Sequence, residues 1–192
     1  MALTLTAIAA GVAATALSAA RSARARVAAH RTQGEADTRL RALLADLLRH
    51  APAAEAVSEP LLTIGRDASG ATLQFLSRGV RPPYGTGPIW RVQLARDGER
   101  LLLRADALGV AGTAGTEAPV VMAVEDVASF EVLALEPANG REAARWRTDW
   151  PLAQRRPAAV ALSWTRGDAA GPANAARAPF VVALDPLEAG RP

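Results

Sequence analysis

Catalysis and metal binding need groups that titrate or coordinate near neutral pH, and this 192-residue chain holds few of them. Its only histidines are His30 and His50, and it contains neither cysteine nor lysine. Without cysteine there is no disulfide, no thiolate metal site and no thiol nucleophile. A Ser-His-Asp arrangement would have to recruit one of the two histidines, both of which sit on or beside an N-terminal helical segment. Two histidines so far apart, with no cysteine, also match no metal-ligand spacing. Both read as solvated helix residues. Glu125 with Asp126, and Asp97 with Glu99, are the carboxylate pairs that could serve acid–base cleavage of a glycosidic bond. The first pair precedes an apolar strand and the second flanks a tight turn, so both also fit ordinary surface roles. Residues 109–115 read GVAGTAG. A phosphate-cradling loop would need a lysine and a Ser/Thr opening a helix, so this glycine pattern reads as a flexible connection. Trp90, Trp146, Trp150 and Trp164 could line a ligand groove, or pack as core residues with satisfied indoles. The expectation is a protein without enzyme activity: no catalytic residues, no metal site, no cofactor and no small-molecule substrate.

Charge narrows the partners. All 22 basic residues are arginine. Seven of them face three acids in residues 1–50, whereas residues 51–192 carry fifteen against sixteen. The formal charge of +3 therefore comes from the N-terminal segment. A nucleic-acid-binding protein concentrates arginine on its folded body, so nucleic acid is not an expected partner.

The elements that must position these residues follow from hydropathy. Residues 2–20 carry no charge and are followed by Arg21, Arg24, Arg26 and Arg31. Their length is near the ~20 residues that cross a bilayer as a helix, although alanine and threonine make the run weakly hydrophobic. A cleavable signal peptide ending near Ala14-Thr15-Ala16 and a buried alanine-rich helix are the competing readings. A membrane anchor through residues 2–20 is the expectation. Further on, Leu40, Leu43, Leu44, Leu47 and Leu48 fall at i, i+3, i+4, i+7 and i+8, one apolar stripe on a helix that Pro52 ends. Such a stripe needs a partner surface, which makes Leu40, Leu43, Leu44 and Leu47 the candidate packing or partner-interface residues.

After residue 57 the pattern alternates as in strands. Leu61–Ile64 and Ala71–Ser77 flank a turn at Asp67–Gly70, and Trp90–Ala95 and Arg100–Arg104 flank an Asp-Gly hairpin signal. Val120–Ala123, the stretch around Phe130, Val132 and Ala134, Ala143–Arg147, Ala158–Thr165 and Phe180–Leu184 complete the set. The expected fold is α+β: a long N-terminal helix over 1–51, anchor plus amphipathic half, packed on antiparallel sheets of a mainly β domain over 57–192.

The order of these segments resembles the J-type minor pseudopilins of type II secretion over nearly the whole chain. The resemblance rests on Arg39-Leu40-Arg41-Ala42-Leu43-Leu44-Ala45-Asp46-Leu47, on the hairpin from Val92 to Arg104, and on Val124-Glu125-Asp126-Val127-Ala128-Ser129-Phe130-Glu131-Val132. Trp146 through Trp150-Pro151, Arg156 to Leu162, and Phe180 to Leu184 follow in the same order. It implies a structural protein at the tip of a short periplasmic filament, with I-, K- and H-type minor pseudopilins as partners. It also implies a single inner-membrane pass with the C-terminal domain in the periplasm. The basic leader, Gly-Phe cleavage site and following Glu of that family are not found here, and Met1-Ala2-Leu3-Thr4-Leu5 resembles the interior of such a helix. The expectation is that the reading frame continues upstream of Met1. The competing functions are a type IV-type minor pilin and a membrane-anchored periplasmic binding module. The Arg81–Pro88 loop is one candidate for the partner surface.

Overall fold

The computed structural model describes residues 21, 24, 31, 34–52, 59–82, 85, 87–109, 115, 117–138, 142–150, 155–167 and 179–184. The chain divides into two compact units, Met1–Thr38 and Arg39–Pro192. Among the described residues nine strands are found, all in the second unit: β1 (Leu62–Asp67), β2 (Gly70–Ser77), β3 (Trp90–Asp97), β4 (Arg100–Ala107), β5 (Val120–Val124), β6 (Val127–Glu136), β7 (Arg145–Arg147), β8 (Ala159–Arg166) and β9 (Phe180–Ala183). The first five form an antiparallel meander in the order β1-β2-β3-β4-β5, and the last four form a second sheet in the order β7-β6-β8-β9.

Local chemistry sets the turns. Between β1 and β2 the Asp67 Oδ1 accepts from the backbone N–H of Ser69 at 2.7 Å, a side chain standing in for a backbone turn bond. The β3–β4 hairpin closes with Asp97 opposite Arg100, and Gly98 takes φ 59°, where a side chain would be strained. The chain leaves the first sheet for the second at Glu125–Asp126. Asp126 adopts φ 61°, a conformation that aspartate tolerates better than most residues. Its carbonyl accepts from Gly167 N at 2.9 Å, and Glu99 O accepts from Val127 N at 2.7 Å, which pins the corner to both sheets.

Alternation then builds the core. Leu73, Phe75, Val92, Leu94, Leu101 and Leu103 of the first sheet are buried, as are Phe130, Val132, Val160, Leu162 and Val182 of the second. β2, β3 and β4 each contact β6, so the inner faces meet. Each fully buried Leu or Phe contributes about 1.5–3 kcal/mol relative to an exposed one.

The expected long N-terminal helix packed on the sheets is corrected by the structure, which among the described residues is mostly antiparallel sheet with one short continuous helical stretch, α1 (34–49), and helical backbone at Arg21, Arg24 and Arg31. Tertiary burial, more than propensity, sustains a helix in a protein. The apolar stripe that supplies it begins only at Leu40, and Pro52 prevents continuation. The leucine-bearing residues of α1, from Arg39 on, belong to the same unit as the strands. Among the described residues no helix is long and apolar enough to cross a membrane. The 2–20 run expected as an anchor lies outside the described residues.

Candidate functional site

The leucine stripe is the first candidate. Leu40, Leu44, Leu47 and Leu48 are at most 2% exposed, whereas Leu43 is half-buried at the edge of the stripe. Side chains from both sheets reach the last turn of α1. Ser77 Oγ, at the end of β2, donates to Leu47 O at 2.7 Å and accepts from Gly79 N at 2.9 Å. Arg156 Nη2, just before β8, donates to Leu48 O at 2.8 Å. Past the helix end, Arg78 N donates to His50 O at 2.7 Å. These donors satisfy carbonyls that a helix terminus leaves without an intrahelical partner, and the guanidinium complements the negative end of the helix. Gly79 permits the approach, because a Cβ there would come within 3.0 Å of Asp46 O and of His50 Cβ. On the other side Arg41 lies over the Trp164 ring at 4.3 Å and the Phe180 ring at 5.5 Å, a cationic clasp between α1 and β8–β9.

His50 turns its Nδ1 to Asp46 O at 2.7 Å, so that nitrogen donates and the ring closes its own helix. His30 lies outside the described residues. The two carboxylate pairs split. Glu125 accepts from Arg100 Nε at 2.7 Å, while Glu99 and Asp126 line one open cleft of about 410 Å³ with Arg96, Val127, Ala128 and Gly167. The Arg96 guanidinium is engaged there by Ser69 O at 2.8 Å and Ala128 O. Among the described residues no three His, Cys, Asp or Glu side chains are placed to hold a metal ion.

Three tryptophans are core residues. Trp90 and Trp164 are 1% and 7% exposed, and Trp150, at 5%, donates its indole N–H to Arg155 O at 2.9 Å. Trp146 differs, at 45% exposed. It sits on β7 between Arg145 and Arg147, which both reach Glu136 Oε2, at 2.9 and 3.2 Å. Hydrogen bonds from these two arginines hold the Glu136 carboxyl below its ordinary value, and the bond from Arg147 does the same for Asp149. In the Arg81–Pro88 loop, Arg81 pairs with Glu117 at 3.3 Å and lies 5.4 Å from the Trp90 ring, while Pro83, Tyr84 and Thr86 are outside the described residues.

Sequence reasoning passed over the second face of the four-stranded sheet. The register sets Trp146 opposite Leu135, Leu135 opposite Ala159 and Ala159 opposite Ala183, and it aligns Leu133, Ala161 and Val181 in a parallel row. These residues alternate with the buried Val132, Ala134, Val160, Leu162 and Val182, so they share the outer face. The nearly unbroken apolar run from Ala158 to Leu162 was the signal, since a strand apolar at every position has two apolar faces.

A short capped helix thus lies on two antiparallel sheets that are linked by one corner. A chain in the crystal structure of the GspK-GspI-GspJ complex from the enterotoxigenic Escherichia coli type 2 secretion system has this fold. It matches with a TM-score of 0.55 and 16% identity, over 79% of the present chain and 97% of that chain. No family model and no curated protein matches the sequence.

Proposed function

We propose that this chain is a structural subunit of the type II secretion pseudopilus, a minor pseudopilin of the J type, that supports protein export and carries out no catalysis. The observation behind this reading is the fold likeness, which runs over nearly the full length of a chain taken from a GspK-GspI-GspJ complex. The ordered segments from Arg39 to Leu184 favour the J type over the other members. On this reading the partners are the I-, K- and H-type minor pseudopilins at the filament tip. The β unit lies in the periplasm, and residues 2–20 insert in the inner membrane. Deleting the gene should abolish export of secreted enzymes to the medium, and the tagged protein should capture I- and K-type pseudopilins of the same system. Normal export combined with loss of surface pili would assign the chain to a type IV-type pilus instead.

A further inference from the structure

A guanidinium taken partly out of water needs acceptors for its N–H groups, so half-buried arginines report what surrounds them. Arg91 forks onto Glu59, Arg147 reaches Glu136 and Asp149, and Arg96 binds the carbonyls of Ser69 and Ala128. Arg156 binds Leu48 O, Arg41 lies over two aromatic rings, and Arg166 has a partner as well. Among the described half-buried arginines Arg78 is the exception. Its Nε is buried with no hydrogen-bond acceptor, and its side chain makes no ion pair or ring contact among the described residues. The terminal nitrogens are not buried, so the end of the guanidinium is open to a partner.

The backbone that carries this cation is held on both sides. Arg78 N donates to His50 O at 2.7 Å, and Arg78 O accepts from Gly85 N at 3.1 Å. Ser77 before it and Gly79 after it meet the last turn of α1. The stretches to which Arg78 is tied supply no acid, since residues 49–52 read RHAP and residues 79–88 read GVRPPYGTGP. Asp46, whose carbonyl lies against Gly79, keeps an exposed carboxylate with no ion pair among the described residues. A cation placed this way loses hydration and gains nothing within the isolated chain.

We infer that Arg78 is one half of an ion pair between chains, completed by an aspartate or glutamate of a partner protein that docks beside the end of α1. The planar fork of arginine takes a carboxylate through parallel N–H···O bonds, and its weak hydration suits a contact that becomes buried. A carboxylate fits the site better than a phosphate does. Arg81 is already bound to Glu117, which leaves one guanidinium beside the negative end of a helix, a field that opposes a dianion more than a monoanion. The carboxylate site rests on Arg78 itself. The identity of the partner as another pseudopilin rests on the proposed function.

The test reads the side chain directly. In the isotope-labelled full chain the Arg78 Nε–H resonance is assigned by its loss in Arg78→Lys. Sodium acetate should move that resonance, sodium chloride at the same ionic strength should not, and sodium phosphate should move it less than acetate does. Arg78→Met keeps the length of the stem and removes the charge. It should melt no lower than the wild type, yet bind I- and K-type pseudopilins of the same system about tenfold or more weakly. Replacing the acids of the captured partner by their amides, one at a time, should find one whose loss costs nothing further in Arg78→Met. A lower melting temperature for Arg78→Met would give Arg78 an acceptor within its own chain and overturn the inference, and non-additivity with Asp46→Asn would name that acceptor. Capture that Arg78→Met leaves intact would overturn it too, and spare the secretion reading. An acetate response with no captured pseudopilin would sustain the carboxylate site and sink that reading. No response to acetate, or a stronger one to phosphate, would overturn the carboxylate as ligand.

Discussion

The two sheets bury one face each against a common core, yet their outer faces differ. The register lines up Thr63, Gln74, Gln93, Arg104 and Val121 across the first sheet, four polar residues and a single valine at the edge strand. Arg104 there binds Asp106 in bidentate fashion at 2.8 and 2.9 Å. On the second sheet Trp146, Leu135, Ala159 and Ala183 form one outward row, and Leu133, Ala161 and Val181 the next. An antiparallel sheet can face water on one side with polar residues alternating outward, and this row of the first sheet does so, although the neighbouring outward row, Gly65, Thr72, Ala95, Leu102 and Ala123, is mostly apolar. The second has two such apolar rows, ended by Glu131 opposite Ser163. The inner face is buried by folding, and on the outer face the exposure is concentrated at Trp146, 45%, and Val181, 52%.

That contrast can be tested from the inside outward. Leu44→Asp places a charge on the part of α1 enclosed by both sheets and should cost several kcal/mol, about 3–5. For a chain this size that lowers the melting temperature by roughly 10 °C, and an unchanged melting curve would show that α1 does not support the core. Next in size is a pair of truncations. Leu94→Ala, inside the first sheet, should cost about 2–5 kcal/mol, whereas Val181→Ala, outside the second, should stay within about 0.5 kcal/mol. Equal losses in chemical denaturation would mean that the outer face is packed in the isolated protein. Third, Ser77→Ala and Arg156→Ala each remove one sheet's donor to the end of α1. Each should cost about 1–2 kcal/mol, and a much larger loss for one would identify the sheet that holds the helix.

The smallest effect is one of pH at the β7 edge. The carboxyls of Glu136 and Asp149 are depressed by their arginine partners, so their contribution to stability is complete above the ordinary carboxylate range. It is lost as pH falls through the lowered folded values. Glu136→Gln should therefore be less stable than the wild type above the ordinary value of 4.5. The difference should close as the solution is made more acid, and a difference that widens in acid would reverse the assignment.

The strand order was legible because its signals are local. Asp97-Gly98 between two alternating runs announces the β3–β4 hairpin, and the Leu40–Leu48 spacing announces a helix. What was not legible depended on distance or on context. Ser77 and Arg156 meet α1 across 30 and 108 residues of chain, and no periodicity reports such a pairing. The extent of the helix was over-read because a helical pattern shows where a helix can form, while its persistence depends on a surface to cover. Leu133 and Leu135 were missed as outward residues because the alternation through Phe130, Val132 and Ala134 accounted only for the inward side. Glu99 and Asp126, each half of a carboxylate pair in sequence, share a cleft because the corner between the sheets folds back on the β3–β4 turn.

The capped end of α1 has a mechanical consequence. The carbonyls of its last turn point along the helix axis, toward donors carried by two different sheets. A displacement of the last turn of α1 strains the Ser77 and Arg156 bonds together. Bonds loaded in parallel share tension and must yield together. The end of α1 is therefore tied to both sheets, and a strain imposed there is shared between them.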